Sequence, residues 1–90
     1  MSASELAWSV TITVRTRAPE VAGWLERTLL PEVSRELPRA RAAVHRPAAT
    51  AVALEIQARD TGALRAALNT HLGWVHLALA TVPLARAGTT

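Results

Sequence analysis

The chain has 90 residues, half of them hydrophobic, with ten basic and seven acidic side chains and a formal net charge of +3. It contains no cysteine, which excludes disulfides and thiolate metal sites, and its length is that of one domain. No apolar run reaches the roughly 18 residues that span a bilayer, and no signal-type segment occurs near the N-terminus. We therefore expect a cytoplasmic protein without membrane contact.

The first two predicted elements are a strand and a helix. Residues 6–14 alternate between apolar and polar side chains, which is typical of a half-buried strand, and the apolar positions are Trp8, Val10, Ile12 and Val14. Pro19 suits the first turn of a helix, as does Glu20 beside it. The apolar face of this helix then repeats every three to four residues, at Val21, Trp24, Leu25, Thr28 and Leu29. Pro31 should end or kink the helix.

A hairpin and a long helix complete the chain. Residues 39–46 and 50–58 are predicted to form two strands, joined by a turn around Pro47. Asp60 is suited to cap the N-terminus of the helix that follows. The predicted core stripe of this helix consists of Leu64, Leu68, Leu72, Val75, Leu79 and Val82.

The predicted order β-α-β-β-α is that of a ferredoxin-like unit that lacks its final strand. A right-handed crossover makes the second strand parallel to the first, with the third strand between them. The expected class is α+β, with a three-stranded antiparallel sheet of order 1-3-2 and both helices on one face. We expect a single domain over residues 6–84, a disordered N-terminus at 1–5 and a disordered tail at 85–90.

The first strand lies at an edge of this sheet. It has the strongest apolar alternation in the chain, yet it has no Lys, Pro or bulge of the kind that protects an edge strand from pairing. We therefore predict that the protein dimerises across this edge, through Trp8, Ser9, Val10, Thr11, Ile12 and Thr13.

The last helix is apolar nearly all round its second half. With the core stripe facing the sheet, Leu77 points almost directly outward, and Trp74 lies about 60° from it. Small residues beside two large apolar side chains allow another helix to approach closely, which indicates a surface for a protein partner. Its predicted members are Ala66, Thr70, Gly73, Trp74, Leu77 and Ala80.

The segment "LEIQARDTGALRAALNTHLGWVHLA" resembles the signature of the Pcc-type small subunit of the KEOPS (EKC) complex. That family has an "I-x-A-x-D" junction, then "LRA-x-x-N-S" and "L-R-W" on the last helix. The matching positions are Ile56, Ala58, Asp60, Leu64, Arg65, Ala66, Asn69, Thr70, Leu72 and Trp74, and "LLPE" resembles the family's Pro-Glu. Two positions depart from the pattern: Thr70 replaces Ser, and Gly73 replaces the Arg that commonly precedes the Trp.

The resemblance implies a non-catalytic subunit of the machinery that makes threonylcarbamoyladenosine in tRNA. Family members dimerise, dock by their helices onto the catalytic threonylcarbamoyl-transferase subunit, and help to hold tRNA. The expected partners are a second copy or a paralogous Pcc-like subunit, the transferase subunit, and tRNA. Because Gly73 departs from the pattern, a paralogue that pairs with a standard Pcc chain remains an alternative.

The residues give no indication of catalysis, cofactor or metal binding. His71 and His76 lie five positions apart, about 140° on a helix, which does not suit a shared metal ion. His71 borders the core stripe and is more typical of a packed histidine than of a ligand. No phosphate-binding loop, nucleophile with a neighbouring base, or carboxylate pair is recognisable. We therefore expect no enzyme activity, no cofactor and no metal.

The arginines are candidates for contact with tRNA. Arg39, Arg41 and His45 are predicted on the outward face of the second strand, where positive charge could meet phosphates. Arg65 matches an Arg of the family and is the strongest single candidate. A solvated polar face is a slightly better explanation of the strand residues. Two other functions remain open: a stand-alone RNA-binding module, and a regulatory domain that binds a small molecule.

Overall fold

The computed structural model describes residues 6–35 and 37–87, with side chains described as far as Thr81. The elements are β1 (Trp8–Arg15), α1 (Pro19–Val33), β2 (Ala40–Ala48), β3 (Ala51–Ala58) and α2 (Thr61–Ala87). α2 therefore continues through the first three residues of the tail that was predicted to be disordered. The other residues of the two predicted disordered ends, 1–5 and 88–90, lie outside the described residues.

The three strands form one antiparallel sheet of order β1-β3-β2, as predicted. β1 pairs with β3 over its whole length without a shift in register, from Trp8 opposite Ala58 to Arg15 opposite Ala51. The inward side chains of the sheet and the buried faces of α1 and α2 belong to one hydrophobic core. The predicted α+β class, with both helices on one face of the sheet, is therefore confirmed.

Two boundaries differ from the prediction. Pro31 does not end α1, which continues two residues further to Val33. Pro31 has no N–H to donate to the carbonyl of Arg27, so one hydrogen bond is missing, but the helical pattern continues and Ser34 N–H donates to the Leu30 carbonyl at 3.2 Å. The hairpin turn lies at Ala49 and Thr50 instead of around Pro47, because β2 runs on to Ala48, which pairs with Ala51. The register shifts between His45 and Ala48, so Pro47 sits in an irregular part of the strand where no ladder hydrogen bond is required.

The start of α2 is capped as predicted. Asp60 Oδ1 accepts a hydrogen bond of 2.7 Å from the Ala63 N–H, which satisfies one of the unpaired donors of the first turn. The Asp60 carboxylate also pairs with Arg39 at 3.3 Å.

The predicted core stripe of α2 is partly wrong. The buried face consists of Ala63, Ala67, His71, Val75 and Ala78, while Leu64, Leu68 and Trp74 pack against it with part of their surface exposed. Leu72 is 41% exposed and Leu79 is 36% exposed, and the side chain of Val82 is outside the described residues. Because alanine is small, this face lets α2 lie close to the sheet and to α1, and the leucines are displaced to one side of the helix.

Candidate interaction surfaces

The open edge of β1 is the first candidate surface. Ser9, Thr11 and Thr13 are exposed on the face of the sheet that no helix covers, and the inward Val10, Ile12 and Val14 are only half-buried. The inward side chains of β3 are buried far more completely. The difference arises because β3 is flanked by strands on both sides, whereas β1 has a strand on one side only.

Trp8 differs from the other inward residues of β1. The alternation predicted that it would point toward the core, but its side chain is 48% exposed. It is the first residue of the strand and pairs with the last residue of β3, Ala58, so it lies at the end of the sheet. An exposed tryptophan beside an unpaired strand adds apolar surface to the open edge of β1.

The sheet has a second open edge, on β2, and the two edges differ. β2 contains Pro47, which has no N–H to offer a neighbouring strand, and its pairing with β3 is irregular between His45 and Ala48. Both features discourage the addition of another strand. β1 has neither of them. Of the two edges, that of β1 is therefore the better suited to pair with another chain.

The leucines displaced from the core of α2 form a second apolar surface. On a helical projection with His71 at zero, Leu79 and Leu72 lie about 80° and 100° to one side, and Trp74 lies about 60° to the other. The Arg35 guanidinium carbon is 5.9 Å from the centre of the Trp74 ring, so the Trp74 side faces the end of α1. Leu68, Leu72 and Leu79, here called the leucine flank, consequently face away from α1. α2 is the helix that reaches β1, so this flank lies on the side of the open edge.

The residues predicted to form a partner surface lie on the other side of α2, in an arrangement that differs from the prediction. Leu77 is 58% exposed, the largest exposure among the described large hydrophobic side chains. On the same projection it lies about 120° from His71, so it points sideways and outward instead of directly away from the sheet. Gly73, Thr70 and Ala80 are exposed on the same side of α2, and Ala66 is exposed about three turns nearer the start of the helix. No atom lies within 4 Å of the position that a Cβ on Gly73 would take.

Trp74 is only in part the outward side chain that was predicted. Its ring is half-buried and packs against the core, and one face is covered by the guanidinium of Arg35. Arg35 is in turn held by Glu32, whose Oε2 lies 3.3 Å from Arg35 Nε. Trp74 is thus fixed in position at the border between the core and the exposed helix face.

Leu30 of α1 is a further exposed hydrophobic side chain, with 45% of its surface exposed. On a projection of α1 with the buried Leu29 at zero, Leu30 lies at about 100°, on the same side as Gly23, which faces Arg46 of β2. Leu30 therefore faces the β2 side of α1. We call Trp74 and Leu77, with the small residues around Gly73, the helix-pair surface, because Arg35 at the end of α1 covers one face of Trp74.

The four candidate tRNA-binding side chains do not form one surface. Arg41 and His45 lie on the uncovered face of the sheet, and His45 Nδ1 is 3.9 Å from Glu55 Oε2. Arg65 is exposed on α2, which lies on the opposite face. The prediction that Arg39 shares the face of Arg41 is wrong, because Arg39 precedes β2 in a turn, with a positive φ of 57°, and its side chain turns to Asp60.

His71 is a core residue, as predicted. It is 1% exposed, and a hydrogen bond of 2.8 Å joins its Nδ1 to the carbonyl oxygen of Ala67, so Nδ1–H is the donor. Among the described residues no group of three or more His, Asp or Glu side chains is arranged to hold a metal ion. No described helix is long and apolar enough to cross a bilayer. The polar groups that the structure describes are thus engaged mainly in capping and in ion pairs at the surface.

Comparison with known families gives a match. The family model described as "transcription factor Pcc1" matches residues 9–83, which includes all three strands apart from Trp8 and both helices apart from the last turn of α2. A comparison with curated proteins finds no match. The matched range contains the open edge of β1, the leucine flank and the helix-pair surface.

Proposed function

Because the chain belongs to the Pcc1 family of KEOPS subunits, we propose that it is a non-catalytic scaffold of a KEOPS complex, which supports threonylcarbamoyladenosine formation in tRNA. The observation that carries the proposal is the family match over residues 9–83. Members of this family are accessory subunits of the complex and not its catalytic subunit.

The first part of the proposal is a dimer formed across β1. Two sheets that pair through this edge would make one six-stranded sheet with four helices on one face. The half-buried Val10, Ile12 and Val14 would then be covered, and the leucine flanks of two α2 helices would face each other above the new strand pair. The partner is a second copy of this chain or a paralogous Pcc-like subunit. The regular, unprotected pairing edge of β1 supports this arrangement, in contrast to that of β2.

The second part is docking of the helix-pair surface onto helices of the catalytic threonylcarbamoyl-transferase subunit. Leu77 is an exposed apolar side chain that a partner helix would bury, and the gap at Gly73 would let that helix come close. This surface and the leucine flank lie on opposite sides of the buried face of α2. One chain could therefore bind its dimer partner and the transferase at the same time.

The test is reconstitution with the transferase and kinase-like subunits of the same organism. Complex formation is measured by calorimetry, and threonylcarbamoyladenosine in a tRNA transcript is measured by mass spectrometry of the nucleosides. We expect binding to the transferase subunit, modification that depends on adding this chain, and no modification by the chain alone. If the chain neither binds the transferase nor raises the yield of the modified nucleoside, the proposed function is wrong.

A further inference from the structure

We propose that the end of the molecule where β1 passes into α1 binds the phosphate backbone of RNA. Four arginines lie near this end, apart from the predicted tRNA-binding residues, and two of them, Arg27 and Arg46, converge. The choice of tRNA as the physiological RNA rests on the proposed function, whereas the site itself rests on charge and geometry. The four residues, here called the arginine end, are Arg15, Arg17, Arg27 and Arg46.

The fold places these four residues near one end of the molecule, and it brings the guanidinium groups of Arg27 and Arg46 together. Arg15 is the last residue of β1 and pairs with Ala51, which follows the hairpin turn. Thr16 N–H donates to the Thr50 carbonyl at 2.8 Å, which ties the loop containing Arg17 to the same turn. All four arginine side chains are exposed. The end of β1 with the loop after it, the middle of α1 and the end of β2 thus carry these cations near one end of the sheet. Arg15 continues the exposed alternation of Ser9, Thr11 and Thr13, so it lies on the uncovered face.

Arg46 is held in place by backbone groups. Its Nη2 donates to the Ala49 carbonyl at 2.6 Å and reaches the Pro19 carbonyl, in the first turn of α1, at 3.5 Å. These bonds link the hairpin to the start of α1 and use only part of the donors on the guanidinium. A guanidinium has five N–H donors, so others remain for a ligand.

Gly23 lets two of the guanidinium groups approach each other. A methyl group placed on Gly23 would lie 3.3 Å from Nη1 of Arg27 and 3.3 Å from Nη1 of Arg46. The two Nη1 atoms are therefore separated by no more than twice that distance. Glycine inside a helix costs about 1 kcal/mol relative to alanine. At Gly23 the missing side chain provides the space in which the two cations converge.

The local charge favours an anionic ligand. Residues 15–27 and 46–50 contain these four arginines and two acidic residues, Glu20 and Glu26. Two guanidinium groups that share a small space repel each other, and an anion between them would remove this repulsion. The fork of N–H donors on arginine matches the oxygens of a phosphate in a bidentate manner.

The structure favours contact with the backbone of a nucleic acid over contact with its bases. Trp24 is the only aromatic residue in these two segments, and it packs against the core, so no side chain of the arginine end offers a ring on which a base can stack. Phosphate contacts require only positive charge and donors, and they carry no sequence information. Binding at this end should therefore depend strongly on salt and weakly on sequence.

The test uses the full chain and a fluorescein-labelled tRNA transcript, with binding followed by fluorescence anisotropy over a range of salt concentrations. The double variant Arg27→Gln, Arg46→Gln is compared with the double variant Arg41→Gln, Arg65→Gln. The second one removes the same charge from two of the residues that the sequence predicts to contact tRNA. Because Arg46 also bonds the hairpin, Arg15→Gln with Arg27→Gln serves as a second variant that spares those bonds. Circular dichroism melts establish that each variant is folded.

We expect the two variants at the arginine end to lower the affinity about tenfold or more and to reduce the slope of log K against log salt by about 1 to 2. The double variant at Arg41 and Arg65 should lower the affinity less. An equal or greater loss in that variant would overturn the proposal, as would competition by polyglutamate as strong as that by unlabelled RNA. Transferase binding and dimerisation are measured on the same variants, and we expect both to be unchanged. Failure of the RNA site is thereby distinguished from failure of the scaffold function.

Discussion

At the scale of single residues, Asp60 and Arg39 join the start of α2 to the start of β2. Asp60 caps the helix through Ala63 N–H, and its carboxylate pairs with Arg39. Arg39 adopts a positive φ of 57°, a conformation that residues with a Cβ seldom adopt. Its carbonyl accepts a hydrogen bond of 2.9 Å from Arg59 N–H, at the end of β3. The turn therefore gains local contacts that offset its unfavourable backbone conformation.

Asp60→Ala should destabilise the fold by about 1 kcal/mol, because the N–H of Ala63 loses its acceptor. Asp60→Asn keeps a side-chain oxygen for the cap and removes only the charge. Since the ion pair with Arg39 is largely exposed, we expect the Asn variant to lie close to the wild type. Urea unfolding measures both variants. Equal losses in the two would show that the ion pair, and not the cap, is the stabilising contact.

Leu77→Asp should weaken binding to the transferase subunit at least about thirtyfold, because hot-spot positions typically contribute about 2 kcal/mol or more. The melting temperature of the isolated chain should barely change, since Leu77 is 58% exposed. Leu72→Asp is the matched control, the same substitution on the leucine flank. We expect it to weaken dimerisation and to leave transferase binding intact. A large drop in melting temperature for Leu77→Asp with unchanged transferase binding would contradict the assignment.

At the scale of elements, the rotation of α2 decides which side chains remain available to partners. The leucines of this helix have the spacing of a core stripe, but the buried line is made of alanines and His71. α2 packs on the sheet and on α1 at once, and small residues in the corner between them allow the closest approach. The larger side chains are then left on the two sides of the helix, where partner chains can cover them.

Proline substitutions in β1 test the open edge. Successive N–H groups of a strand point to opposite sides, so of Thr11→Pro and Ile12→Pro one removes a donor to β3 and the other a donor at the open edge. We expect the substitution that removes a donor at the open edge to give a folded monomer in analytical ultracentrifugation. The substitution that removes a donor to β3 should also lower the free energy of unfolding. Dimers of unchanged stability in both variants would contradict pairing through β1.

At the scale of the whole molecule, one layer of two helices covers a sheet of three strands, and the cover is incomplete at β1. A chain of 90 residues buries a limited share of its surface, so apolar groups left exposed weigh heavily in its stability. The apolar groups that are exposed or half-buried around this edge are Val10, Ile12, Val14, Trp8 and the leucine flank. A second copy that covers them would contribute to the stability of each protomer.

The melting temperature should therefore rise with protein concentration, because association stabilises the folded state by mass action. Differential scanning calorimetry over a hundredfold range of concentration measures the effect. Leu72→Asp should have a lower melting temperature at high concentration and should approach the wild type on dilution. A melting temperature that does not depend on concentration would contradict a dimer in rapid equilibrium.

The sequence by itself determined the order of the elements, the strand order and the cap at Asp60, because these depend on local periodicity and on the limited number of ways to connect five elements. It also indicated the open edge of β1 and the exposure of Leu77. These features follow from the residues of one segment, or from topology alone, so neighbouring elements need not be known.

Only the tertiary structure decided the side-chain relations between elements. The face of α2 that is buried depends on packing against the sheet and α1 together, so the leucine periodicity misplaced Leu72 and Leu79. Trp74 is held at the border of the helix-pair surface only because Arg35, at the end of α1, covers one face of its ring. Arg27 and Arg46 meet at Gly23 from segments 19 residues apart along the chain, and no local pattern reports such a distance. Periodicity describes one element at a time, whereas these contacts depend on how the elements are placed in space.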